Sequence, residues 1–255
     1  MKKFFFKINS INSKFVNYGF FTRNGGYSRK NFKSLNCSYS SNDNKRYVNK
    51  NILTAIKKLN LDNKKLILVK QTHSTKIIHI NSKNCNKKHT ADGIITKNRE
   101  IAIGVLTADC APIFIFDKKK EIICCLHSGW KGTLNNIVKN GIKSITKNKI
   151  KRDDLIVIIG PCLSKKNFEV NSDFKNQFIR KNSKYSEFFK LKNNDKDLFD
   201  MRGIINFQFK DLGINNVYNI KKDTYSNKSM FFSYRRSKHI DELNTGRMIN
   251  IIGFK

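Results

Sequence analysis

Three apolar runs, each closing on a short polar motif, constrain this chain more than any other feature. Leu66-Ile67-Leu68-Val69 leads into Gln71-Thr72-His73-Ser74, and Ile101 to Thr107 leads into Ala108-Asp109-Cys110. Ile122 to Leu126 leads into His127-Ser128-Gly129-Trp130-Lys131-Gly132. Short apolar runs rich in β-branched residues and bounded by turn signals read as buried strands. The end of a buried strand is a fixed point on the rim of a sheet, so each motif is delivered to a defined place. Each motif also carries one good metal ligand. Two imidazoles and one thiolate form a set that suits a catalytic zinc with its fourth position open.

Taken singly, each ligand has an ordinary structural reading. A lone histidine at a strand end is more often structural, and a free cysteine packs as a small buried hydrophobe. The surroundings shift the balance. Gly129 and Gly132 permit a tight backbone path ahead of a helix N-terminus, whose free N–H groups favour an anion. Asp109 sets a carboxylate beside Cys110, as an orienting or acid/base group. His79 and His89 lack such surroundings and read as surface residues, and His239, near Arg235-Arg236, reads as structural.

The remaining pattern alternates strands and helices without a regular period. Gly19 to Arg23 reads as a strand running into the Gly25-Gly26 turn. Val48, Ile52, Ile56 and Leu59 give Asp43 to Leu59 a helical spacing. Ile113 to Phe116 is a further strand, and Lys118-Lys119-Lys120 a charged turn. Thr133 is placed to cap a helix running to about Lys147. Leu155 to Ile159, Val217 to Ile220 and Arg247 to Ile252 read as strands, and Asp173 to Arg180 and Leu198 to Leu212 as helices. No Pro- or Gly-rich linker divides the chain, and its only prolines are Pro112 and Pro161. Residues 1–255 are therefore expected to form a single mixed α/β domain.

Lys and Arg total 51 against 19 Asp and Glu, a formal charge of +32. Such a balance invites a nucleic-acid reading. The lysines are scattered, however, without a basic arm or an aromatic-basic alternation, so most of the charge reads as a solvated surface. No specific nucleic-acid partner is expected. The six cysteines sit in a long chain, and the apolar start from Met1 to Phe6 is shorter than the roughly 7–15 residues of a signal-peptide core. No segment approaches the ~20 apolar residues of a membrane span. Free thiols in a reducing cytoplasm are the expected state. An anionic substrate is favoured by Arg23 before its glycine turn, by Lys131, and by Arg235 or Arg236 after Tyr234, because a guanidinium fork matches phosphate or carboxylate. Trp130 and Tyr234 offer rings on which a base can stack.

Ordered along the chain are Phe20-Phe21-Thr22-Arg23-Asn24-Gly25-Gly26, Ser34-Leu35-Asn36, Gln71-Thr72-His73, Ala91-Asp92-Gly93, Thr107-Ala108-Asp109-Cys110-Ala111-Pro112, His127-Ser128-Gly129-Trp130-Lys131-Gly132, Ile159-Gly160-Pro161-Cys162, Phe168-Glu169-Val170, Phe232-Ser233-Tyr234-Arg235-Arg236 and Thr245-Gly246-Arg247. In these motifs the chain resembles the bacterial YfiH or laccase-domain family. That family was once called multicopper polyphenol oxidoreductases and is now labelled purine nucleoside phosphorylase and peptidoglycan editing factor. The resemblance implies a mixed-sheet sandwich with layers α/β/β/α. It implies that His73, Cys110 and His127 hold zinc, with copper as the other ion associated with the family. It further implies phosphorolysis of adenosine, inosine and S-methyl-5'-thioadenosine, with adenosine deamination as a side activity. Asp109, Arg23, Lys131 and Arg235 are the expected catalytic and phosphate-positioning residues. Two departures stand out: Lys131 replaces the usual arginine, and Asp223-Thr224 stands where a Cys-Thr pair is common.

Three rival readings compete with zinc-assisted phosphorolysis. One is an amidase that removes a wrongly added amino acid from a UDP-MurNAc precursor. Another drops the metal and uses Cys110 as nucleophile with His127 as base. The last is a basic polyanion- or RNA-binding protein without catalysis. Laccase-type phenol oxidation is disfavoured, because one His₂Cys set cannot build a multicopper cluster.

Overall fold

Alternate residues of the central strands enter different cores, and this alternation sets the layers. The computed structural model describes residues 3–11, 15–119, 121–147, 149–193 and 196–255. In chain order the regular elements begin with β1 (Phe5–Phe6), β2 (Val16–Phe21), α1 (Lys45–Lys58), β3 (Lys65–Leu68), β4 (Ile77–Ile80), β5 (Gly93–Thr96), β6 (Ile101–Thr107), β7 (Ala111–Asp117) and β8 (Ile123–Ser128). There follow α2 (Trp130–Leu134), α3 (Ile137–Thr146), β9 (Leu155–Ile159), β10 (Glu169–Val170), α4 (Ser172–Lys181), β11 (Phe189–Asn193), β12 (Lys196–Phe199), α5 (Met201–Asp211), β13 (Val217–Asn219), α6 (Tyr234–His239) and β14 (Met248–Phe254).

One large sheet has the order β1-β2-β14-β6-β3, and the other β13-β9-β7-β8-β5-β4. A small third sheet has the order β10-β12-β11. On β7, Phe114 and Phe116 enter the core between the two large sheets, while Ala111, Ile113 and Ile115 enter the opposite core. On β14, Met248, Ile252 and Phe254 face the other sheet, while Ile249 and Ile251 turn outward. That outward face is covered by α1 through Ala55 and Ile56. The outer face of the second sheet is covered by α3 and α5 through Ile142, Ile145, Ile204 and Phe209. Helix, sheet, sheet and helix thus stack as the expected α/β/β/α sandwich.

Two expected helices are subdivided. The segment from Thr133 to Lys147 breaks into α2 and α3 because Asn136 adopts a left-handed conformation (φ 57°) and caps α3 at Lys139 N. Thr133 lies inside α2, where its hydroxyl donates to Gly129 O at 3.0 Å. The segment from Leu198 to Leu212 starts as strand, since Leu198 pairs with Glu169 and Lys190, and Asp200 then caps α5 at Gly203 N. Lys120 of the charged turn lies outside the described residues.

Strand direction brings the three motifs together. β3 runs parallel to β6, so both end on the same rim. The chain then crosses from the first sheet to the second through Ala108 to Cys110. β7 pairs antiparallel with β8, and Ala111 opposite Ser128 sets Cys110 beside the end of β8. The interface between the sheets is anchored by Phe20 and Phe114, both fully buried, with stacked rings 4.3 Å apart. Phe114→Ala is expected to cost about 3–5 kcal/mol, the usual range for emptying a packed aromatic site. Urea unfolding monitored by far-UV circular dichroism measures it, and a loss below about 1 kcal/mol would show that the interface relaxes around the gap.

Candidate metal centre and its cleft

The centre is organised by Asp92, a fully buried carboxylate immediately before β5. Its Oδ2 accepts from Ser74 N and Ser74 Oγ, each at 2.7 Å, and from Thr72 N at 3.1 Å. Its Oδ1 accepts from His73 N at 3.0 Å and lies 2.8 Å from His127 Nδ1. An ionised carboxylate only accepts, so Nδ1 carries the proton and Nε2 is the ring nitrogen left for a ligand. Burial alone would raise the Asp92 carboxyl, but hydrogen bonds from His127 and Ser74 outweigh it and hold the group well below the usual carboxylate range. One side chain therefore fixes the His73 loop and the His127 ring at once.

Two motif residues hold backbone conformations that L-residues rarely adopt: His73 at φ 57° and Asp109 at φ 86°. Such strain persists where surrounding bonds over-determine it. At His73 those bonds come from Asp92. At Asp109 they come from its own buried carboxylate, which accepts from Thr224 Oγ1 at 2.6 Å, Arg235 N at 2.7 Å and Ser233 Oγ at 3.0 Å. Neighbouring Asp223 accepts from Ser164 N and Asn167 Nδ2 and so braces the loop that carries Thr224.

His73, Cys110 and His127 converge, with one ligand atom from each lying within 4.8 Å of the others. His127 is buried, Cys110 half-buried and His73 exposed, so the set runs from the floor of the site to its opening. Gly129 reserves the space. A Cβ there would lie 2.6 Å from His73 Nδ1 and 3.0 Å from Cys110 Sγ. Burial raises the Cys110 thiol, but the adjoining His127 and His73 rings outweigh it and leave it lowered to about 6. Burial likewise disfavours the charged His127 ring, yet the Cys110 thiolate and Asp92 push it up. Two imidazoles and a ready thiolate fit a zinc ion, and the same donors suit copper.

The centre opens into a cleft of about 980 Å³. Lys131, Tyr234, Arg235 and Asp109 line it, as do Arg247 and Tyr39. Arg235 lies over the Phe168 ring at 5.3 Å and donates from Nη1 to Glu169 O at 3.0 Å. Lys131 is exposed, 5.4 Å over the Trp130 ring, and Trp130 itself packs on Phe174 at 5.2 Å. Tyr234 is half exposed at 51%. Arg23 is not part of the cleft wall; its guanidinium donates to Lys33 O, Asn31 O and Lys228 O and lies over Phe232, which makes it a loop brace. Arg236 is used in the same way, on Thr224 O, Tyr225 O and Phe231 O. Cys162 is buried outside the cleft lining, where burial pushes its thiol up to about 11 and Arg202 donates to Sγ at 3.0 Å.

Two residues whose motifs stand in the sequence, Asp92 and Arg247, have no role that ligand types alone assign. Asp92 carries a readable signal, an acid and a glycine just before an apolar run, but its link to His127 spans 35 residues. Arg247 lies in the cleft wall and donates from Nη1 to Thr245 O at 2.8 Å. Burial lowers its pKa, and the Cys110 and Asp109 charges oppose that, which places a guanidinium in their field.

A sequence profile described as multi-copper polyphenol oxidoreductase laccase matches residues 17–255. The chain belongs to that family. Within this laccase-like family it is 29% identical over 228 residues to a purine nucleoside phosphorylase of Rickettsia conorii, covering 84% of this chain and 92% of that one. It is 31% identical over 243 residues to a purine nucleoside phosphorylase of Campylobacter jejuni, covering 90% and 99%. Among solved structures it is similar to YfiH of Bacillus licheniformis, with a TM-score of 0.87, 25% identity and coverage of 94% and 93%. A Neisseria meningitidis member of the DUF152 family gives a TM-score of 0.84 at 27% identity, covering 94% of both chains. Among the described residues no helix is long and apolar enough to cross a membrane.

Asp92→Asn keeps the side-chain shape but loses the charge that holds the His127 ring. Zinc affinity is expected to fall about 10–100-fold, the usual effect of removing a group that orients a ligand. Competition with a chromogenic chelator reads this, and an unchanged affinity would remove Asp92 from its role. A second test concerns pH. A thiol lowered to about 6 is ionised above that pH and protonates as pH falls through it. In metal-free protein, iodoacetamide labelling of the Cys110 peptide, followed by mass spectrometry, should therefore hold steady at neutral pH and halve near pH 6. An inflection close to the ordinary thiol value of roughly 8.5 would show that the imidazoles do not bias Cys110.

Proposed function

We propose that this protein is a cytoplasmic purine nucleoside phosphorylase that acts on adenosine, inosine and S-methyl-5'-thioadenosine, uses zinc at His73, Cys110 and His127, and deaminates adenosine as a side activity. The observation that carries the reading is one cleft with a metal-type donor set at its floor and Lys131, Arg235 and Arg247 on its wall. The names of the Rickettsia and Campylobacter relatives agree with it.

In phosphorolysis a phosphate oxygen bonds to ribose C1' while the bond from C1' to the base nitrogen breaks. The purine leaves with the bonding pair and takes up a proton. The nucleophile and the leaving group both carry negative charge, so catalysis depends on cationic positioning in a partly desolvated site. Lys131, Arg235 and Arg247 supply that charge. Arg235 is oriented by its bond to Glu169 O, and Arg247 by its bond to Thr245 O. The exposed Tyr234 ring offers a stacking face for the base. Asp109 acts as a positioning residue, since its carboxylate ties the Cys110 turn to the first residues of α6. When bound, the ion contributes Lewis-acid polarisation to the reacting group.

Zinc-loaded protein is to be incubated with adenosine, with and without phosphate, and separately with UDP-MurNAc-L-Ser. The expected products are adenine and ribose 1-phosphate, formed only when phosphate is present. Cleavage of the amide substrate alone would replace the phosphorylase reading with the editing-amidase one. Arg247→Ala is expected to lower kcat/KM for phosphate roughly 10–100-fold, the range for one lost charge-assisted hydrogen bond.

A further inference from the structure

Three ligands define a triangle, and a centre of fixed geometry needs all three sides held. His73, Cys110 and His127 bring one ligand atom each to within 4.8 Å of the others. Asp92 accepts from His73 N at 3.0 Å and lies 2.8 Å from His127 Nδ1, which ties His73 to His127. The antiparallel pairing of β7 with β8 sets Ala111 opposite Ser128 and Pro112 opposite His127, which ties Cys110 to His127. Those two contacts leave the side from His73 to Cys110 open.

Gln71 spans that side. Main-chain pairing of β3 with β6 ends at Leu68 opposite Gly104. Beyond it the chain turns from β6 toward the segment ahead of β5. There Lys70 forms a bridge with Thr90, its N–H donates to His89 O at 2.9 Å, and its carbonyl accepts from Ala91 N at 3.1 Å. The Gln71 side chain reaches back. Its Nε2 donates to Leu106 O at 2.8 Å, and its Oε1 accepts from Leu106 N at 2.8 Å. A backbone N–H only donates and a carbonyl only accepts, so both ends of the amide are assigned. The amide replaces a main-chain rung after the main chain itself has left the sheet. Gln71 lies two residues before His73 and Leu106 four before Cys110, so the rung joins the two ligand segments near their roots. Both residues are half-buried and line the cleft. Water is able to satisfy a bare N–H and C=O in such a place. The rung therefore adds placement more than it adds stability.

We propose that Gln71 is a positioning residue for the metal: its two bonds to Leu106 fix the separation of His73 from Cys110 and so set the geometry in which an ion is held. The inference rests on His73, Cys110 and His127 being the ligands. Gln71 is not itself one of them.

The test uses the full-length protein loaded with zinc, and with cobalt(II) as a spectroscopic substitute. Gln71→Leu removes both bonds at similar side-chain volume. Gln71→Asn keeps the amide but is one methylene short of the span, and it carries the test if the leucine variant loses its native far-UV circular dichroism. Thr96→Val is the control, because it removes a bond of the same kind, from Thr96 Oγ1 to Ile80 O at 2.8 Å, at the far end of β5. Zinc affinity, read by competition with a chromogenic chelator, is expected to fall about tenfold in both Gln71 variants, the lower end of the effect of losing a group that orients a ligand. The visible bands of the cobalt-loaded protein should change in position or intensity with them, since those bands follow ligand geometry. Thr96→Val should leave both readouts at their wild-type values. Unchanged zinc affinity in the Gln71 variants, or an equal loss in Thr96→Val, would overturn the proposal. Wild-type protein that binds neither ion would overturn the ligand set beneath it, which is a separate result. No nucleoside enters these measurements, so their outcome does not depend on the phosphorylase reading.

Discussion

The Asp92 carboxylate is the constraint on which the rest of the site depends. It is an anion without solvent, and it persists because six donors converge on it from the Thr72 to Ser74 loop and the His127 ring. Remove that convergence and the left-handed turn at His73 has nothing to hold it. The same contact selects the tautomer of His127. Loop conformation, ring orientation and proton location thus follow from one buried charge, and none of them needs a separate explanation.

Around this fixed floor, the arginines divide into two kinds. Arg23 and Arg236 spend their guanidinium groups on backbone carbonyls and stitch loops together. Arg235 and Arg247 are each tethered by Nη1 and stand in the cleft wall. Neighbours in sequence, such as Arg235 and Arg236, separate into these two uses because successive residues of a helix start point to different sides. A high count of basic residues therefore says little about a substrate, whereas the location of two tethered guanidinium groups says a good deal.

Much of this was legible from the chain alone. The three apolar runs ending at His73, Cys110 and His127 marked both the strands and the ligand set, because strand periodicity and ligand chemistry are local properties. What escaped was long-range or conformational. The partnership of Asp92 with His127 depends on which strands pair, as does the presence of Arg247 in the cleft. The break at Asn136 escaped because the apolar spacing from Leu134 to Ile142 continues across it. Leu198 falls in a helical pattern by local propensity, but its strand pairing with Glu169 and Lys190 outweighs that propensity. For Arg23, the setting beside two glycines suggests an anion ligand and does not reveal the carbonyls that surround it.

The crossing of the chain between Ala108 and Cys110 has a mechanical consequence. His73 hangs from the first sheet, His127 is the penultimate residue of a strand in the second, and Cys110 sits on the bridge between them. An ion held by all three is a clasp across the seam of the sandwich. Sliding one sheet over the other by an ångström would open the clasp, so the stacking of Phe20 on Phe114 acts as a ruler for a centre it does not touch. Chelation and core substitution would then be two ways of working the same joint.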